Sequence, residues 1–385
     1  ASDTLNPVVV TAALAPRTAN DSLSSVTVID EATLRRQAHP DLSPLLWHVG
    51  HMFFVENYWL AERVFGDTTV TDPWRTLYFP ELCTKGERSA RLPGPAAMRA
   101  WTQEIAAIND GYWARAEHTR HPLLDNGYLL SFVRQHYAQH LETMRMAEAQ
   151  LALAASPSPS PVTARTLDTR FERLAAASVT LGTDHVEAYD NEQPVRTVSL
   201  DAFAMADTPV SNGQWLAFMN AGGYDDPTLW DPAGWAWRCE HGIDRPQHWQ
   251  AVGTGWCVND LAGRIGTTGD DPVHGIGWYE ARAFAAWAGA RLPREAEWEA
   301  ARRRDRLAAT GQGWEWCDDA FAAYPGFSPF PYDEYSLPWF DGAHFVARGA
   351  SRHTEADVIR PGFRNFYPPT HRHVFAGLRL ARDVC

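Results

Sequence analysis

The chain has no apolar stretch long enough to span a membrane, and no basic N-terminal region followed by a hydrophobic one. From that absence a soluble, cytoplasmic protein is expected, without a membrane partner. Cysteine is scarce. Cys83, Cys239, Cys257, Cys317 and Cys385 show no C-x-x-C spacing and no paired framework, so a disulfide scaffold is not required and a reducing compartment suits the chain. Basic charge is short as well, with 34 Lys and Arg against 47 Asp and Glu for a formal −13. A uniformly basic face is not expected, and nucleic acid is a poor candidate partner. Disorder is excluded by a composition that is 45% hydrophobic and only 21% charged.

What is present points to two domains, since 385 residues exceed one ordinary core. An Ala/Ser/Pro tract at 154–161 breaks the pattern, because alternating prolines forbid helix and favour an extended spacer. Before it, apolar residues at three and four spacing predict helices over 42–65, 95–118 and 126–154, an up-and-down bundle. After it come short β-like runs rich in Gly and Trp, with helices predicted over 279–288 and 294–304. The expected division is an unassigned segment 1–30, a helical domain 31–154, a linker 155–170 and a loop-rich α+β domain 171–385. Residues 8–10 and 25–28 read as strand-like within the unassigned segment. The 17 tryptophans either line aromatic pockets or fill a loop-rich domain.

Two histidines, His136 and His140, stand four apart in a helical segment, so both imidazoles project from one face. An earlier helix carries Trp47-His48-Val49-Gly50-His51, and two helices of a bundle can bring three histidines to one point. Taken alone, this spacing fits metal ligands or ordinary core and surface histidines.

From 178 to 382 the chain resembles the formylglycine-generating-enzyme/sulfatase-modifying-factor family. The resemblance rests on T-P-V-S-N at 208–212, A-G-G-Y at 221–224, P-V-H-G-I-G-W at 272–278, R-L-P-R-E-A-E-W-E at 291–299, W-E-W at 314–316, R-G-A-S at 348–351 and G-L-R at 377–379. It implies a loop-rich fold of C-type-lectin-like character. Formylglycine generation needs a late pair of cysteines, which is absent between Arg348 and Arg379. Residues 39–154 resemble a DinB-type four-helix bundle, and the two domains in this order resemble the ergothioneine-biosynthetic sulfoxide synthases and their sibling, selenoneine synthase. That resemblance implies a mononuclear non-haem Fe(II) held by His51, His136 and His140, with Glu142 orienting a histidine and His48 either a partner of the ligands or a surface residue. It also implies Gln139 against the substrate imidazole, and Asn365 with Phe366 at the betaine end of hercynine. The Tyr324-Pro325-Gly326-Phe327 loop would present Tyr324 as proton donor beside Phe327, with Tyr332 and Tyr335 as rivals.

The donor site departs from the relatives. Those that use γ-glutamylcysteine carry an aspartate and, four residues later, an arginine, where this chain has Tyr367 and His371. The charges that would grip an amino-acid zwitterion are missing. The tyrosine- and arginine-rich segment of the cysteine-using branch is also missing; residues 77–91 instead read L-Y-F-P-E-L followed by Lys85, Arg88 and Arg91. A neutral selenosugar suits Tyr367, His371, His373 and local tryptophans better. The expected activity is O2-dependent carbon–selenium bond formation on hercynine. Its rivals are a sulfoxide synthase using cysteine or γ-glutamylcysteine, and a non-catalytic binding module.

Overall fold

A computed structural model describes residues 30–153, 161–258 and 269–384, and the chain divides into two compact units, Ala1–Leu151 and Ala152–Cys385. The strand-like residues 8–10 and 25–28 and most of the Ala/Ser/Pro tract lie outside the described residues. Among the described residues no helix is long and apolar enough to cross a membrane.

The first unit is helical. Its elements are α1 (Glu31–Arg35), α2 (Leu45–Asn57), α3 (Arg63–Phe65), α4 (Arg75–Tyr78), α5 (Lys85–Arg91), α6 (Pro95–Ala116) and α7 (Tyr128–Ala152). Local chemistry sets the ends. Pro95 starts α6 where its missing N–H costs nothing, and the Glu87 carboxylate caps α5 by accepting from the Thr84 N–H and hydroxyl. The helix predicted over 42–65 is α2 and α3 joined by a π-helical turn, Tyr58–Glu62, which ends at Gly66 in the left-handed region (φ 75°). Among the described residues the long helices of this unit are α2, α6 and α7, and α1 is five residues long. Trp47, Phe54, Leu60, Tyr78, Met98 and Phe132 form much of the buried interior.

The second unit is α+β. It contains β1 (Phe171–Leu174), β2 (Ala177–Leu181), β3 (Arg196–Leu200), β4 (Phe203–Ala206), α8 (Asn212–Asn220), α9 (Pro232–His241), β5 (Trp249–Val252), β6 (Gly255–Val258), α10 (Trp278–Trp287) and α11 (Glu295–Arg303). These are followed by β7 (Gly313–Ala320), β8 (Phe345–Ala350), β9 (Asn365–Tyr367), β10 (Ala376–Leu378) and β11 (Ala381–Asp383). The central sheet has the order β10-β7-β8-β9, with β10 parallel to β7 and the other pairs antiparallel. A second sheet runs β1-β4-β11. Residues 161–170, expected to be part of a free linker, are tied into this unit: Pro161 bridges Cys257, and the Arg165 N–H donates to the Gly213 carbonyl.

Three buried arginines hold the loops together. Arg379 donates two hydrogen bonds of 2.8 Å to the Glu315 carboxylate on β7, Arg348 donates to Glu299 at 2.9 Å, and Arg364 donates to Glu295 at 3.0 and 3.2 Å. Most of their remaining donors reach backbone carbonyls, among them those of Gly362 and Phe363 for Arg348, which also donates to the Tyr324 hydroxyl and keeps its Nε without a hydrogen-bond partner. Charges taken from water survive only when paired and hydrogen-bonded in this way.

Asp319 sits beside this network and accepts from the Glu295 N–H at 2.6 Å. Burial, and then the neighbouring Glu295 charge, push its carboxyl up to about 6. A folded-state value above the ordinary 3.8 means that the native chain binds more protons between these two values, so the stabilisation is present at low pH and lost as pH rises through 6. Asp319→Asn keeps an acceptor for Glu295 without the charge. It is expected to raise the melting temperature at pH 8 and to change it little at pH 4, as measured by thermal unfolding at both values.

Candidate metal centre and substrate strand

His51 projects from α2, and His136 and His140 project from one face of α7. Their candidate ligand atoms all lie within 4.8 Å of one another. The ring centroids stand 5.1 Å (His51–His136), 4.6 Å (His51–His140) and 4.4 Å (His136–His140) apart. His51 is buried, whereas His136 and His140 are half-buried as residues.

Desolvation keeps the three rings neutral. Burial lowers His51 and His136 well below the ordinary imidazole range and takes His140 down to about 4, with the Arg88 charge adding to the effect on His140. A close-set cluster of neutral imidazoles is a metal-ligand set, and His136 Nδ1 is buried without a hydrogen-bond partner. Imidazole nitrogens bind first-row ions at about 2.0–2.1 Å, so donor atoms already within 4.8 Å of one another need only small side-chain rotations. The residues fit a three-histidine ferrous site.

The neighbours of the cluster orient it. His51 Nδ1–H donates to the Tyr78 carbonyl at 2.8 Å, which leaves Nε2 as the ligand atom. Trp47 stacks on His51 at 4.4 Å, with the Arg88 guanidinium 3.8 Å from the centre of the Trp47 ring. Gly50 is required by the same contact: a Cβ there would stand 2.0 Å from the Tyr78 hydroxyl oxygen. Tyr78 cannot yield easily, being fully buried and stacked on Trp101 at 5.5 Å.

Gln139 is half-buried and lies three residues after His136, so it shares that face of α7. Glu142 is buried. The surface alternative for His48 is excluded, since that residue is 3% exposed and its Nδ1 lies 2.8 Å from Nδ1 of His140. Its spacing of three from His51 was the available signal, because it places both rings on one side of α2.

In the second unit, β9 carries Asn365, Phe366 and Tyr367. Successive side chains of a strand point to opposite faces. Asn365 and Tyr367 therefore share one face, where the Asn365 amide donates to the Tyr367 hydroxyl at 2.8 Å. Trp316 lies against Tyr367 at 6.1 Å, and His371 (6.3 Å from Tyr367) and His373 (4.7 Å from His371) continue the cluster. The two residues expected at the betaine end, Asn365 and Phe366, thus stand on opposite faces of β9. Phe366 faces the other way and stacks on Phe321 at 4.0 Å, against the hydrophobic core.

Tyr324 is also placed differently from a residue open to substrate. It is buried, its hydroxyl accepts from Arg348 at 3.1 Å, and Arg196 and Arg364 lie 3.2 and 4.0 Å from the centre of its ring. Burial raises its hydroxyl above the ordinary range. Phe327 packs edge-on against Phe340 at 5.1 Å. Tyr332 is half-buried, and Tyr335 stacks on Tyr189 at 4.3 Å.

The profile of the sulfatase-modifying factor enzyme 1-like domain matches residues 164–312 and 307–384, and that of the DinB superfamily matches residues 16–144. A hercynine oxygenase of Mycolicibacterium thermoresistibile is 32% identical over 419 aligned positions, spanning 92% of this chain and 91% of that protein. A formylglycine-generating enzyme of Streptomyces coelicolor is 32% identical over 40% of this chain and 53% of its own. Ergothioneine biosynthesis protein 1 of Schizosaccharomyces pombe is 25% identical over 51% of this chain and 28% of its own.

Two substitutions test the centre. His136→Ala or His140→Ala is expected to abolish stoichiometric metal binding in a chain that still folds, read by metal analysis with circular dichroism; full metal content in both variants would remove the assignment. Gly50→Ala is expected to destabilise the first unit by about 1–3 kcal/mol through overpacking against Tyr78, and to lower metal occupancy because the Tyr78 carbonyl holds His51.

Proposed function

The chain belongs to the hercynine oxygenase family of oxidoreductases, and from that premise we propose that it is an O2-dependent, non-haem iron enzyme joining a chalcogen atom to carbon 2 of the hercynine imidazole. A selenosugar is the proposed donor. The observation that carries the reading is the convergence of His51, His136 and His140, neutral and close-set, on two helices of the first unit. What an iron ion supplies there when bound is one-electron reactivity toward O2 and Lewis acidity toward a thiolate or selenolate. The coupling would break the ring C–H and the donor Se–H and form the C–Se bond, with the O2 balance closed by one oxygen atom ending on selenium as a selenoxide and the other leaving as water.

The protein groups bind and orient. Gln139 offers an amide to the substrate imidazole from the His136 face of α7. Asn365 holds the Tyr367 hydroxyl, and together with His371 these residues make a polar, partly aromatic surface backed by the buried Trp316. That surface supports the choice of donor. Tyr367 and His371 occupy the positions at which the γ-glutamylcysteine-using relatives carry aspartate and arginine, and the adjacent Arg372 is committed to Glu280 at 2.8 Å. A charged amino acid would leave buried groups unsatisfied at about 1–3 kcal/mol each. A sugar has hydroxyls that a phenol, an amide and imidazoles satisfy. We assign the proton donor to Tyr332 in preference to Tyr324, whose hydroxyl is engaged by a fully buried arginine.

The test is incubation of iron-loaded protein with hercynine and each of a selenosugar, cysteine and γ-glutamylcysteine in competition, with products read by mass spectrometry. The selenosugar adduct is expected to dominate, and hercynine is expected to be preferred over histidine. Preferential consumption of either thiol moves the chain to the ergothioneine branch. For the tyrosines, Tyr332→Phe is expected to lower turnover at an unchanged melting temperature, and Tyr324→Phe to lower the melting temperature; the reverse pattern returns the proton-donor role to Tyr324.

A further inference from the structure

His48 has no part in the chemistry above, yet it touches a ligand. It sits one turn before His51 on α2, with the Trp47 ring edge-on at 5.4 Å and the His140 ring at 5.1 Å. Its Nδ1 is 2.8 Å from His140 Nδ1, and its Nε2 is shut off from solvent with no hydrogen-bond partner.

Two neutral imidazole nitrogens at that distance share one proton, so one donates and the other accepts. If His48 Nδ1 is the donor, the Nδ1 lone pair of His140 is engaged and its own proton is on Nε2, leaving no lone pair for an ion. If His140 Nδ1 is the donor, its Nε2 is bare, and His48 accepts through Nδ1 while keeping its proton on Nε2. Metal binding by His140 through Nε2 needs the second arrangement.

We propose that His48 is the positioning residue of the metal centre, a neutral acceptor that fixes His140 in the Nδ1–H tautomer with Nε2 turned to the ion. The inference rests on the reading of His51, His136 and His140 as metal ligands. It completes a pattern already half visible, because His51 is fixed in the same tautomer by the Tyr78 carbonyl. Unlike a carboxylate in that role, a histidine adds no negative charge, so the centre with its ion keeps an excess of positive charge that an anionic donor neutralises.

The experiment uses the full chain stripped of metal. Cobalt(II) is titrated into wild type, His48→Asn and His48→Leu, and the melting temperature of each apo form is recorded. Asparagine places an amide oxygen near the imidazole Nδ1 position, whereas leucine fills the volume without an acceptor. His48→Asn is expected to bind within about threefold of wild type and His48→Leu about 10- to 100-fold more weakly, at similar apo melting temperatures. In zinc-loaded protein labelled with 15N-histidine, the His140 proton is expected on Nδ1 in wild type, in slow exchange, and exposed to exchange in His48→Leu. Equal affinity of the leucine variant and wild type, equal weakness of the two variants, or a His140 proton on Nε2 would overturn the proposal. Failure of the ligand reading is separable: wild type would then take up no stoichiometric cobalt, or His136→Ala would bind it as wild type does.

Discussion

Arg348 is fully buried and charged, and much of the second unit is arranged around that fact. Its guanidinium reaches Glu299 on α11, the Tyr324 hydroxyl, and the carbonyls of Pro361, Gly362 and Phe363. The last three lead directly into Arg364 and β9, so the strand that carries Asn365 and Tyr367 is placed by a charge that must be satisfied inside the protein. Arg364 repeats the device with Glu295 and two further carbonyls. Removing one partner from a buried pair costs about 3–5 kcal/mol, more than a loop of this kind gains from its few apolar contacts. The ion pairs therefore act as the frame, and the loops take their course from it.

The first unit meets the same constraint with the opposite chemistry. Its buried polar cluster is made of imidazoles, which escape the cost of desolvation by giving up a proton instead of finding a counter-charge. Neutrality alone is not enough, because a neutral imidazole has one donor and one acceptor nitrogen and only one tautomer suits a given ligand geometry. The Tyr78 carbonyl resolves this for His51. Gly50 then becomes intelligible: it lets the Tyr78 ring come close enough for its carbonyl to reach His51. A residue of no chemical function is fixed by the tautomer of its neighbour.

The sequence was legible wherever a local rule decided the outcome. Helical periodicity gave the long helices to within a few residues, and the spacing of His136 and His140 put both rings on one face. The π-helical turn at Tyr58–Glu62 has no sequence signal that we can name. The motif arginines and glutamates were visible as a family resemblance, but their function as buried pairs depends on partners 49 to 69 residues apart, a separation that no local pattern encodes. The same holds for Tyr324, whose enclosure comes from Arg196, Arg348 and Arg364. The reading of Phe366 is different. Alternation along a strand was available from Asn365-Phe366-Tyr367 itself, and a strand assignment at that point would have put the phenylalanine on the far face.

That alternation also bears on donor selectivity. Because Asn365 and Tyr367 share a face and are joined by a hydrogen bond, a change at one is felt at the other. An aspartate in place of Tyr367 would exchange the phenol that accepts from the Asn365 amide for a shorter, charged acceptor and put a negative charge next to Trp316, a residue fully buried in β7. An uncompensated charge there is unfavourable unless a cation arrives with it, and Arg372 is held by Glu280. Conversion to a surface that grips a zwitterion thus requires the aspartate and an arginine at His371 together. The hydrogen-bonded Asn365–Tyr367 pair beside His371 is a self-consistent arrangement that needs neither the carboxylate nor the guanidinium.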